Sequence, residues 1–191
     1  MDSLSNSSSC SLSVNTSKMS LIRQNFHEEN EAAINRQINM ELRASYVYLG
    51  IAYHFDRHDV ALKGFFNFFL KNSDEEREHA QKFMKYLNQR GGTIRLDAIQ
   101  PPSKYDYATG LEAMKAALHL EREVNESLLK LHALASSHND PHLTDFLEEE
   151  FLNEQVESIN KIGAHITNLI RVGSGLGEFQ FDKLTLSDDD D

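Results

Sequence analysis

Glu76-Arg77-Glu78-His79 sets a carboxylate and an imidazole three residues apart. On a helix that spacing puts Glu76 and His79 on one face. Glu41, Glu121 and Gln155 likewise interrupt largely apolar helical seams near their centres. Three carboxylates, one imidazole and one amide make an oxygen-rich ligand set, which suits iron or another hard-to-borderline divalent metal. Converging in an apolar core, such acids would force proton uptake or unfolding unless a cation compensated them.

Whether they converge depends on the helices that carry them. Four long helical patterns run from about Glu28 to Asp56, Leu62 to Arg90, Gly110 to Ser136, and from Pro141 to about Val172. Each has a seam at alternating spacings of three and four. The seams read Ile34, Ile38, Glu41, Ser45, Tyr48, Ala52; then Leu62, Phe65, Phe69, Asn72, Glu76, His79, Phe83. The third reads Met114, Ala117, Glu121, Val124, Leu128, Leu131, and the fourth Leu152, Gln155, Ile159, Ile162, Ile166, Leu169. Glu41, Glu76, Glu121 and Gln155 each fall within about two residues of a helix midpoint, roughly 3 Å along the axis. Midpoints meet at one height whichever way each helix runs, so the spacing predicts a single polar layer inside the bundle.

The connections predict the topology. Short joints around Arg57-His58-Asp59 and Ser137 to Asp140 make antiparallel pairs. Asp140-Pro141 supplies an N-cap and a first-turn proline for the fourth helix. Gly91 to Thr109, with Pro101-Pro102, reaches up to about 66 Å when extended, against about 42 Å for a helix of this length. That link can cross the whole bundle. Gly173, Gly175 and Gly177 break the fourth pattern, and a short fifth helix follows from Leu176 to Leu186.

Composition bounds the function classes. The chain has 191 residues, only three prolines and a net charge of −11, which favours long helices and argues against nucleic acid and anionic membranes as partners. The lone Cys10 excludes an intrachain disulfide and fits a reducing compartment. No apolar run approaches the roughly 20 residues of a membrane span, and no secretory signal opens the chain, so a cytoplasmic location is expected. Residues 1–19 read as a disordered Ser-rich tail, 20–186 as the folded domain, and 187–191 as a short acidic tail.

Longer motifs carry a resemblance. Arg23-Gln24-Asn25-Phe26-His27, the run Ala32 to Tyr48, Glu75 to His79, Leu118-His119-Leu120-Glu121, Asn139 to Leu143 and Asn153 to Val156 resemble the ferritin family, specifically its heavy, ferroxidase-active animal type. The resemblance spans about Arg23 to Leu186. It implies an all-α, ferritin-like four-helix bundle with one long crossover and a short C-terminal helix. It also implies a di-iron site: Glu41, Glu76 and His79 as the first half, Glu76 bridging to Glu121 with Gln155 nearby, and Tyr48 holding a ligand carboxylate. By the same likeness His132, Asp145 and Glu148 line iron-admitting channels, and Glu75 and Glu78 help mineral form. Gln81 stands where heavy chains often carry a third acid, and Leu184 where they often carry histidine.

The function so implied is iron storage with ferroxidase activity, in a homo-oligomeric cage of 24 subunits that other ferritin chains can share. Ferrous iron and dioxygen or peroxide are the reactants. The weaker second half of the ligand set, with Gln155 and Ser158 in place of Glu and His, leads us to read iron there as substrate in transit. A non-catalytic subunit that only co-assembles requires a broken ligand set. A rubrerythrin-like oxidoreductase requires a second Glu-x-x-His, and neither condition is met here.

Overall fold

The computed structural model describes residues 20–187. The Ser-rich segment 1–19 and positions 188–191 of the acidic tail lie outside the described residues. Helix α1 spans Glu28–Phe55, α2 Lys63–Gln89 and α3 Gly110–Ser137. The fourth pattern begins as α4, Pro141–Leu147, passes through a π-helical turn at Glu148–Leu152, and continues as α5, Asn153–Val172. A short α6, Leu176–Leu184, closes the chain. The fold is an all-helical four-helix bundle with a short C-terminal helix, and the residues between α2 and α3 form the long crossover.

Helix ends follow local chemistry. His27 Nδ1 accepts from the Glu29 amide at α1, and Thr109 Oγ1 accepts from Glu112 at α3. Asp140 Oδ1 accepts from Leu143 at α4, and two Arg90 contacts at 3.1 and 3.0 Å hold the same carboxylate. Helix α2 has no cap of its own. Instead Asp182 of α6 is fully buried, and its Oδ1 accepts from Phe65 N at 2.9 Å. Glu178 of α6 accepts from Gly110 N at the start of α3. Gly173, at φ 73°, ends α5 in the left-handed conformation that glycine adopts without strain.

The core is aromatic at both ends of the polar layer. Phe55, Phe65 and Phe69 stack at one end, and Phe83, Tyr86, Phe146 and Phe151 stack at the other. The π turn differs from the continuous helix that the pattern predicts, and the burial of the segment gives the reason. Leu143, Leu147, Phe151 and Gln155 are all buried at successive spacings of four. In a regular α-helix each such step drifts the face by about 40°. The wider turn takes up that drift and keeps Phe151 and Gln155 facing inward. Helix α6 ends two residues earlier than its pattern suggests, although Leu186 is still buried.

Two packing facts shape the site. Helices α1 and α2 pack closely along their length, whereas the backbones of α2 and α5 stand farther apart and are bridged by side chains, His79 to Glu154 and Phe68 to His165. The gap between α2 and α5 is a cavity of 330 Å³. No helix among the described residues is long and apolar enough to cross a membrane.

Candidate metal centre

Glu41 on α1 and Glu76 and His79 on α2 are all buried, and one ligand atom from each lies within 4.8 Å of the others. Glu41 is held from outside this cluster. Gln37, one turn before it, donates to Glu41 Oε1 at 2.8 Å, and Ser127 of α3 donates to the Gln37 oxygen. The other carboxylate oxygen of Glu41 is buried and has no hydrogen-bond partner. His79 Nδ1 lies 3.4 Å from Glu76 Oε2, and its Nε2 lies 3.1 Å from Glu154 Oε2 on α5.

A second group completes the layer. Glu121 of α3 accepts from the Tyr48 hydroxyl through Oε1 and from Gln155 Nε2, 3.0 Å away, through Oε2. The free oxygen of Gln155 is also buried without a partner. Glu75, Glu76, His79, Glu121, Glu154 and Gln155 line the cavity between α2 and α5, with Ser158 beside them. Lys71, Glu157 and Lys161, all exposed, line its mouth.

The electrostatics match a cluster of acids buried close together. Burial, then the Glu76 charge, raise the Glu41 carboxyl well above the usual carboxylate range. The same two causes push Glu121 up to about 7, against the opposing pull of the Tyr48 and Gln155 hydrogen bonds. Burial alone would lower the His79 imidazole, but its hydrogen bonds to Glu154 and Glu76 outweigh that and push it up to about 10. The His79 contact in turn holds the Glu154 carboxyl below its ordinary value. Burial followed by the Glu121 charge raises Tyr48 well above a free phenol. A cation would answer all of these shifts together. Two orphaned buried oxygens and an acid-rich donor set with one imidazole fit a hard-to-borderline divalent ion.

Residues 31–172 match the ferritin-like domain family. The chain belongs to the ferritin family. Over 169 residues it is 61% identical to a soma ferritin of Lymnaea stagnalis, across 88% of this chain and 97% of that protein.

Of the remaining candidate site residues singled out in the sequence, only Glu75 borders the cavity beside the layer. His132 Nε2 sits 2.7 Å from Glu148 Oε1, and Asp145 is exposed on α4. Glu75 is half-buried at the cavity and raised by burial, while Glu78 and Gln81 are exposed. Leu184 is exposed on α6. Sequence reasoning missed Gln37, Ser127 and Glu154, each a direct contact of a candidate ligand or one step from it. Gln37 carried a readable signal, since it lies one turn before Glu41 on the same face. Glu154 did not, because its partner His79 is 75 positions away.

Proposed function

We propose that this ferritin-family chain is a ferroxidase of the heavy type, oxidising ferrous iron at the mid-bundle layer and storing the ferric product inside an oligomeric cage. Family membership supports iron storage and cage assembly. The convergence of Glu41, Glu76 and His79 within 4.8 Å, all buried, supports the oxidation step. Ferrous iron is the substrate. Glu41, Glu76 and His79 hold one ion. Glu121 and Gln155 hold a second, with Glu76 between the two. Each ferrous ion gives up one electron to dioxygen or peroxide, and the layer needs no protein nucleophile.

The protein's own part is to position and to exchange. Tyr48 and Gln155 fix the orientation of Glu121. Gln37 fixes one oxygen of Glu41 and leaves the other toward the cluster. The cavity gives the layer a lateral opening, so product can leave past Glu154 and Glu75 without the helices separating. Gln155 offers only a neutral amide oxygen, so iron on that side is held loosely and turns over. His132, Asp145 and Glu148 serve as the acidic approach for incoming ferrous ions, and Glu75 and Glu78 as the first contacts of growing mineral. The cage is expected to hold 24 copies, in a cytoplasmic setting.

The test is ferrous oxidation in air, followed by ferric absorbance and by sizing of the product. The intact chain should exceed the buffer rate, and Glu76→Ala with His79→Ala should abolish the excess. The assembly should run near about 520 kDa. An unchanged rate in the double variant sinks the assignment. A correctly sized cage with no excess rate in the intact chain instead identifies a non-catalytic subunit.

A further inference from the structure

Among the described residues, a second set of ligand-type side chains converges at one end of the bundle. A ring nitrogen from each of His27 and His138 and a carboxylate oxygen of Glu29 lie within 4.8 Å of one another. His27 lies about 20 Å from Glu41 along the α1 axis, so this cluster is separate from the iron layer. We propose that His27, Glu29 and His138 form a surface site for a borderline divalent cation, with zinc as its best-matched occupant.

The arrangement is drawn from two distant parts of the chain and held together independently of the three side chains. Asn25 Nδ2 donates to Asn139 O at 3.0 Å, tying the segment before α1 to the turn after α3. Both asparagines adopt left-handed backbone, at φ 48° and 51°, which asparagine tolerates better than most residues. The tie brings the two imidazoles into a parallel stack, with centroids 3.6 Å apart and planes 12° apart. His138 Nε2 then meets Glu29 Oε2 at 2.9 Å.

The donor set selects the ion. Two imidazoles and one carboxylate, with the fourth position left to water, form a set that zinc accepts in three-ligand protein sites. Calcium and magnesium prefer sites built from oxygen and are poorly served by two nitrogens. Coordination distances near 2.0–2.2 Å require the three donor atoms to close up from their present spacing. All three side chains are at the surface or partly exposed, so the rings can tilt out of the stack to do this. Helix capping does not account for the cluster. His27 Nδ1 already accepts the Glu29 amide at 3.2 Å, and the first turn carries Glu28, Glu29 and Glu31 without help from His138.

The experiment titrates zinc chloride into the iron-free, full-length assembly by calorimetry against a competing chromophoric chelator. The variants are His27→Asn with His138→Gln, and separately Glu29→Gln. His27→Asn keeps an N-cap acceptor, so α1 is preserved. The wild type should bind one more zinc ion per chain than the double variant. Glu29→Gln should weaken that ion at least about tenfold. Cobalt(II) in the wild type should give visible absorption that the double variant lacks. Ferrous oxidation rates should match in all three proteins, because none of the substituted residues touches the iron layer. Zinc stoichiometry and affinity equal in wild type and double variant would overturn the proposal, as would wild-type zinc affinity in Glu29→Gln.

Discussion

Tyr48 on α1 and Glu121 on α3 are both buried and joined by a hydrogen bond, with the phenol donating to Oε1. The two residues are 73 positions apart. The bond sets the direction of a carboxylate that would otherwise be free to turn toward Gln155 alone. Tyr48→Phe removes the donor and little volume. Leaving a buried acceptor short of a partner costs about 1–3 kcal/mol. Glu121 also loses a hydrogen bond that favours its charged form. Ferrous oxidation near neutral pH should slow several-fold, with the fold retained. Stopped-flow ferric absorbance and a thermal scan check the two parts.

Stability of the iron-free protein should fall as pH rises. Glu121 is raised to about 7 from an ordinary 4.5, so the folded protein holds a proton that the unfolded chain releases. That contribution is complete below about 4.5 and is lost as pH passes 7, a difference of order 3 kcal/mol. Glu41, also raised, acts in the same direction. His79, raised from 6.5 to about 10, adds a further loss at higher pH, beginning near 6.5 and complete once pH passes about 10. Urea midpoints measured from pH 5 to 9 should decline steadily. A bound divalent cation should flatten the curve, because it takes the place of the protons.

Glu154→Gln should move the pH profile of iron oxidation downward. The Glu154 carboxylate stabilises protonated His79 across 3.1 Å. Protonated imidazole cannot ligate, so weakening that contact frees the ring at lower pH. Initial rates in wild type and variant, compared from pH 5.5 to 8, give the result. A profile that stays in place would mean that His79 does not compete with a proton during turnover.

Asp182→Ala should loosen α6 without disabling the iron layer. It removes the acceptor that caps Phe65 N, a loss of about 1–2 kcal/mol by analogy with other caps. Gly64→Ala should do similar harm by a different route, since a Cβ there would stand 2.2 Å from the Asp182 carbonyl. Proteolysis should then cut near Gly173 to Gly177 faster, while initial iron oxidation stays close to wild type.

The helices were legible because apolar periodicity and their punctuation agreed. Asp140-Pro141 marks the start of α4, and Gly173 marks the end of α5. The seam of α3 is buried at every position, from Met114 to Leu131. In α5, Gln155, Ile162 and Leu169 are buried, while Ile159 and Ile166 are only partly so. Position along a helix made the shared height of Glu41, Glu76, Glu121 and Gln155 readable. What stayed hidden were partners chosen by tertiary contact. Asp182 looks like a surface acid in a short helix, yet it is fully buried at the start of α2. The π turn was hidden too, since a run of fours in the sequence does not say which turn will widen.

The long crossover has an electrostatic corollary. By carrying the chain back across the bundle, it makes α2 and α3 begin at the same end. Two helix N-termini, each with unpaired amides and a partial positive charge, therefore face one exit. The segment that closes that exit must bring negative charge to both. Helix α6 does so with Asp182 for α2 and Glu178 for α3. With a short loop in place of the crossover, α3 would begin at the opposite end and Glu178 would face carbonyl oxygens. Connectivity near residue 100 thus dictates the sign of side chains near residue 180.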